Sequence, residues 1–546
     1  MNCSKYIIAS VSLITLSKAI LAQDNGKKKT VDITSTFKPV LRDAAKINFT
    51  AVPPATDSTK PKLTYNIPQQ PVTMNYQSGA LSPVALPVQT IDWQNSNFIK
   101  VGIGNVHLPY VQAGFSFGDA KTASLNIFAK GYSSKGSLEN QKNNYANVGL
   151  KGFLKTGKNM QWDGKLAFTG EDYYFYGYKP DTLKFNKTDV RQRFQTFEGS
   201  VGLQNISATE FGVNYHPTLR IAAFNGKNSM NNANETNAVL DVPIQKRITD
   251  QFTVNLGVTA NITSYHKADK ATISNNLYYV SPAVVYKGDN LWIHGGVMPS
   301  WDRKDFHLLP DIMAELTTND KKFTLQAGWI GSYDKGSYQR FAAMNPWIIQ
   351  PDSLLNTRKQ EAYGGIKGLL GKNFTYNAKV GVITYHNMPL FVNDTTDGKT
   401  FETVYASSMN AFHIHGEIGY ATGEIFNATA SIDLNQYSGI KGQPSAYGLL
   451  PVEFNADMRW QVMKDLYWTA GIAAWGPPDY RTKNMGTKSG KAAFDMSTGL
   501  EFKITRQLNL WVQMNNIFNN KYERWNQYKV YGFNILGGIV FNFNQK

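Results

Sequence analysis

Three residues at period-two spacing, His413, His415 and Glu417, fall on one face of an extended segment, with Phe412, Ile414 and Ile418 on the other. Two imidazoles and a carboxylate on a shared face form a donor set that suits a transition metal. The polar side of any half-buried strand shows the same pattern, and that plainer reading is preferred. No metal, cofactor or catalytic role is assigned to these residues. Glu210, His216 and Arg220 make a second polar row, alternating with Phe211, Val213, Tyr215, Leu219 and Ile221. These six residues are the candidates for contact with a solute or ligand. Hydrolytic chemistry finds little support, because no serine and histidine are paired by spacing. Leu536-Gly537-Gly538 lies in an extended apolar run with no helix after it, so it is not a phosphate loop. The single cysteine, Cys3, sits before an apolar run at the start of the chain. Disulfides, thiolate metal sites and a cysteine nucleophile are therefore excluded from everything that follows it.

Both rows require long strands to carry them. Strict alternation runs from Phe98 onward. In 251–263, Phe252, Val254, Leu256, Val258, Ala260 and Ile262 alternate with Thr253, Asn255, Gly257, Thr259, Asn261 and Thr263. The rhythm recurs at 210–221, 323–329, 374–382, 426–435 and 508–514. These strands run to roughly 9 to 15 residues, against about 5 to 6 in soluble sheets. About ten tilted residues cross the apolar layer of a bilayer.

The connections alternate too. Short turns are expected near 119–122, 156–159, 205–208, 248–250, 287–290, 318–321, 371–373, 421–423, 464–465 and 505–507. Longer polar segments lie between them, at 134–143, 177–192, 224–236, 265–275, 300–307, 334–357, 389–400, 437–448, 476–490 and 519–529. Ten turns join 20 strands, and 98–105 and 530–543 add one at each end, so an all-β, antiparallel, up-and-down transmembrane barrel of about 22 strands is predicted. Closure removes the exposed edges that an open sheet would present to lipid. A propeller would show strands half this length at a period of about 40 to 50 residues, and a sandwich would not lengthen alternate connections on one side.

Composition agrees. Of 546 residues, 18% are charged and 13% aromatic, with 29 Tyr, 30 Phe and 11 Trp. Beyond the N-terminus no apolar run reaches the ~18 residues of a spanning helix. Lys5, the apolar run Tyr6 to Leu16 and Ile20-Leu21-Ala22 read as an export signal over 1–22. Removing Lys5 and Lys18 from 56 basic residues leaves 54 against 40 acidic, a net +14. Apart from the short run Lys27-Lys28-Lys29 the cations are mostly scattered, with no long block or helical stripe, which argues against a nucleic-acid partner. Residues 23–97 form a Pro-rich arm with eight of the 22 prolines, an extended linker with at most short edge strands. Aromatic residues at strand ends, Tyr173 to Tyr176 with Tyr178, and Trp292, Trp301, Trp475 and Trp525, are expected at the membrane interfaces. In the 334–357 loop, Ser337 to Met344 reads as a short helix ended by Pro346 and is the segment expected to fold inward.

The final strand, YGFNILGGIVFNF at 531–543, places Tyr531, Phe533, Ile535, Ile539, Phe541 and Phe543 on one face. With NNIFNNKYERWNQY at 515–528 before it, this end resembles the C-terminus of TonB-dependent receptor barrels, whose last strand carries outward aromatics read by the barrel-assembly machinery. In that family the closing aromatic is often the last residue; here Asn544, Gln545 and Lys546 follow. TSTFKPVLRDAAKINF at 34–49 resembles the N-terminal stretch of a Bacteroidetes group of plug-poor, TonB-dependent receptor-like proteins. KTVDITST at 29–36 is faintly similar to a TonB-box segment, which adds as a strand to a periplasmic partner. The resemblance implies an outer-membrane location, no enzymatic activity, and passage or receptor-like uptake of a solute. Its partners would be lipid, the assembly machinery and a TonB-like protein. The arm is too short and irregular for the folded plug of that family. A non-transporting subunit of a secretion or surface-assembly complex, bound to surface protein subunits, is the alternative.

Overall fold

The computed structural model describes residues 97–543 apart from Lys158 and Lys321, all within the unit Pro61–Lys546. The export signal at 1–22, the arm up to residue 96 and the TonB-box-like segment lie outside the described residues.

The wall has 22 strand positions. They are β1 (Asn97–Gly104), β2 (His107–Gly118), β3 (Ala123–Lys135), β4 (Lys142–Thr156), β5 (Met160–Tyr174), β6 (Arg191–Asn205), β7 (Thr218–Asn228) and β8 (Asn232–Arg247). Next come β9 (Phe252–Lys267), β10 (Leu277–Lys287), β11 (Leu291–Asp302), β12 (Asp305–Thr317), β13 (Phe323–Asp334), β14 (Thr357–Leu370) and β15 (Phe374–Asn393). The last seven are β16 (Phe401–Thr422), β17 (Phe426–Lys441), β18 (Val452–Met463), β19 (Leu466–Trp475), β20 (Ala493–Lys503), β21 (Leu508–Asn515) and β22 (Asn534–Phe543). Each pairs antiparallel with its sequence neighbour, and β22 returns to β1 in register from Asn97↔Phe543 to Gly104↔Leu536. Two short segments, Val213–Tyr215 and Ile273–Ser274, continue the lines of β7 and β10 along the same partners and add no wall position. Closure pairs every wall strand on both sides, as lipid demands. Among the described residues no helix is long and apolar enough to cross a membrane.

Period two sorts the side chains. Outward positions carry exposed apolar residues around the wall, such as Leu166 on β5, Phe197 on β6, Ile221 on β7, Val254 and Leu256 on β9, Val380 on β15, Phe412 on β16 and Phe541 on β22. A continuous belt of this kind on a closed barrel marks a surface solvated by lipid. Inward positions carry the polar set.

Nine of the ten short turns fall within a few residues of their expected places, the tenth, expected at 205–208, lengthens to 206–217, and all share one end. The chain departs from expectation at the other end. The long segments expected at 224–236 and 300–307 shrink to 229–231 and 303–304, because β7, β8, β11 and β12 extend beyond the belt. Their inward residues there, Phe224, Ala233 and Glu235, are buried by an inward-folded loop, which gives the extra strand length something to pack on. The alternation at 210–221 is broken by Pro217, which lacks the N–H a ladder needs; only Val213–Tyr215 and the residues from Thr218 onward are strand. The cluster Tyr173, Tyr174, Phe175 and Tyr178 is not an interfacial girdle: all four are buried, as is Trp525, beneath loops. Trp301 does stand exposed, its ring 5.4 Å from Phe306. Tyr531 precedes β22 instead of joining its outward row, while Phe533, Ile535, Ile539 and Phe541 are exposed as expected.

Candidate functional site

The long-loop end of the lumen is occupied by side chains from several loops. The segment 335–356 turns inward and forms α1 (Tyr338–Met344), capped by the Ser337 hydroxyl, which accepts from the Arg340 N–H at 3.1 Å. Glu235, inward on β8, accepts from the backbone N–H groups of Tyr338 at 2.5 Å and Gln339 at 3.4 Å. A carboxylate at a helix start satisfies otherwise orphaned donors. The Tyr338 ring stands edge-on to Phe224 at 5.1 Å, Tyr265 at 5.8 Å and Phe194 at 6.1 Å, all inward wall residues. Gly226 makes this possible, since a Cβ there would overlap the Tyr338 ring. Trp347 stacks on Tyr528 at 4.0 Å, tying 335–356 to the 516–533 loop. Gln192, fully buried, donates to the carbonyls of Pro346 and Ile348 at 2.7 and 2.8 Å, and Asn356 donates to Asp302 at 2.7 Å. A second inward loop, 442–451, sets Ala446, Tyr447 and Leu449 against Ile383, Tyr385, Met409 and Ala411 of β15 and β16. Lys335, at the root of the α1 loop, has its ammonium pushed down to about 8 by burial, against the pull of Asp302 and Glu235.

Below these loops the inner wall is charged. His413 and His415 do share the inward face of β16, and both meet one oxygen of Asp433 on β17, His413 Nε2 at 3.2 Å and His415 Nδ1 at 2.8 Å. Glu417 lies 3.7 Å from His415 Nε2, and Glu361 on β14 lies 3.8 Å from His413 Nδ1. The imidazoles are engaged as hydrogen-bond partners, and no group of side chains among the described residues is arranged to hold a metal. His216 and Arg220 also face inward, but each has its own partner: His216 Nε2 with Asp163 at 2.9 Å, Arg220 with Glu198 at 2.6 Å, and Glu198 in turn with Lys165 at 2.9 Å. Glu210 is separated from them, exposed in the turn region before Pro217. Sequence reasoning missed Asp433, Glu361, Asp163, Glu198 and Lys165. Their only sequence signal is an inward parity on alternating strands, legible once register is known.

A third inward patch is aromatic and basic. Tyr132 and Tyr145 stack at 5.1 Å on β3 and β4, Tyr110 and Trp511 meet at 5.7 Å, and Lys100 lies 3.9 Å over Trp511. Such a wall offers stacking faces and hydrogen bonds together.

A closed 22-strand barrel with a lipid-facing belt, a polar inner wall and inward loops is the fold of outer-membrane receptors. No protein-family model and no curated protein matches this sequence. Solved structures do. The chain is similar to the FrpB iron transporter from Neisseria meningitidis (F3-3 variant), with a TM-score of 0.65 at 9% identity over 83% of this chain and 82% of that one. It is similar to the siderophore receptor PirA from Acinetobacter baumannii, with a TM-score of 0.63 at 9% identity over 82% and 80%. It also resembles the ferripyoverdine receptor of the outer membrane of Pseudomonas aeruginosa, at 0.62 and 10% over 82% and 72%. At such identities the likeness is one of fold.

Proposed function

We propose that the protein is a receptor-like barrel of the outer membrane that admits a solute, with the inward loops of the long-loop end as its gate. The observation that carries this reading is the α1 loop, seated on the inner wall through Glu235 and Tyr338 at the mouth of a lumen with a polar, charged lining. Solved structures of the same fold include an iron transporter and siderophore receptors, which supports uptake over a purely mechanical role. On this reading His413, His415, Glu417, His216 and Arg220 are solute-contacting positions, while Glu210 lies outside their row. Because the arm at 23–97 resembles the N-terminal stretch of plug-poor, TonB-dependent receptor-like proteins, the barrel is read as plug-poor. Residues 29–36 offer a strand to a TonB-like partner, and the outward face of β22 is the surface for the assembly machinery.

The test is conductance and liposome uptake by the full chain and by a variant with 335–356 replaced by a short turn. Opening of the variant, by conductance or faster uptake, supports the gate; silence of both proteins in both assays sinks the transport reading. The second reading, a subunit of a surface-assembly complex, draws on the apolar core shared by the inward loops, a closure suited to a permanently blocked lumen. Stoichiometric partners recovered from native membranes, together with silent bilayers, would favour it.

A further inference from the structure

The outward face of β5 to β8 carries a polar shelf just beyond the apolar belt. Phe168 and Phe197, ring centroids 4.7 Å apart, form the edge of the belt there. Two outward positions further toward the long-loop end, Asp172, Arg193 and Lys227 stand side by side on β5, β6 and β7, in register as Asp172↔Arg193 and Arg193↔Lys227. Four residues of strand rise about 13 Å, which on a tilted wall lifts this row from the acyl region into the headgroup layer. At the corresponding end of β11 and β12 the outward residues are Trp301 and Phe306, both exposed, so the charged shelf does not extend through that sector.

The charges on the shelf do not balance. Asp172 accepts from Arg193 Nε at 2.9 Å and from Arg191 at 2.8 and 3.2 Å, so one carboxylate serves two guanidiniums. Lys227 is exposed and has no carboxylate partner among the described residues. Lys187, in the 175–190 loop, adds a further cation, 5.7 Å over the ring of Tyr174, the register partner of Arg191. The carboxylate of Asp189 in the same loop is occupied by Asn186 and Thr188. Like charges directly opposite on neighbouring strands repel, and Arg193 faces Lys227 with the space in front of them open to the outside. Asn225 and Asn234, one outward step lower, add amides beside them.

We propose that Arg193 and Lys227 hold the phosphate of a phosphorylated glycolipid in the surrounding leaflet. The guanidinium supplies two parallel donors and the ammonium a point charge. The lipid is favoured over free phosphate because the site opens directly above Phe168 and Phe197, where acyl chains of the same molecule would lie. The inference needs the barrel to sit in a membrane and is independent of whether it transports.

The experiment is native mass spectrometry of the full chain in detergent micelles doped with diphosphorylated lipid A, with dephosphorylated lipid A, or with millimolar inorganic phosphate. Retention of the phosphorylated lipid alone is expected, falling about tenfold or more in Arg193→Gln/Lys227→Gln, with Arg193→Lys/Lys227→Arg retaining most of it. Equal retention of both lipids, or unchanged retention by the Gln pair, overturns the proposal. Displacement of the lipid by inorganic phosphate would assign the site to a soluble anion and overturn the lipid source. Mobility of unboiled samples on gels reports folding, and Lys227→Gln alone, which removes no contact within the wall, keeps the test decisive if the double variant fails to fold.

Discussion

Asp433 holds the inner-wall histidines in place, since one of its oxygens accepts from both His413 and His415. Asp433→Ala leaves two imidazoles with poorer partners, at an expected cost of about 1 to 3 kcal/mol. The checking measurement is the temperature at which the compact band of unboiled protein is lost; no change would show that the cluster is solvated lining with no structural weight. Gly226 is the converse case, a residue whose value is the absence of a side chain. Gly226→Ala should push Tyr338 off the wall and expose 335–356 to protease, while leaving the barrel's own stability within about 1 kcal/mol; continued resistance of the loop would contradict the packing described. The histidine pair was legible in the sequence because period two is local. Asp433 and Glu361 were not, because strand register joins residues tens of positions apart.

Among the elements, the α1 loop couples most directly to solution conditions. Burial holds the Lys335 ammonium below its ordinary value, at about 8. A cation whose folded pKa is depressed binds its proton less tightly when docked than when free. Docking is therefore weakest where both forms are charged, below about 8, and strengthens as pH rises from about 8 toward the ordinary lysine value near 10.4. Protease resistance of 335–356 should increase between pH 7 and 10, and Lys335→Met should remove that dependence; a flat wild-type profile would refute it. The helix itself could be read from Ser337, which caps it, and from Pro346, which prevents its continuation. Its seat could not, because that surface is assembled from Phe194, Phe224, Glu235 and Tyr265 on four strands.

For the whole molecule, the decisive contact is the seam between β1 and β22, which converts a sheet with two edges into a wall with none. Removing Asn534–Phe543 should abolish the compact unboiled band altogether instead of lowering its melting temperature, since β1 and β21 would then present unpaired backbone to lipid; a folded truncated barrel would show that closure is not required. The sequence by itself determined the class and count of strands, the side on which the turns are short, and the lipid-facing parity, because alternation and turn chemistry are set by residues within a few positions of one another. Only the tertiary structure decided that the Tyr173–Phe175 aromatics are buried under loops instead of exposed at an interface, that two expected loops are extended strand, and that Glu210 is separated from His216 and Arg220. Each of those outcomes depends on what another segment, distant along the chain, places against the residue, and local pattern carries no information about that.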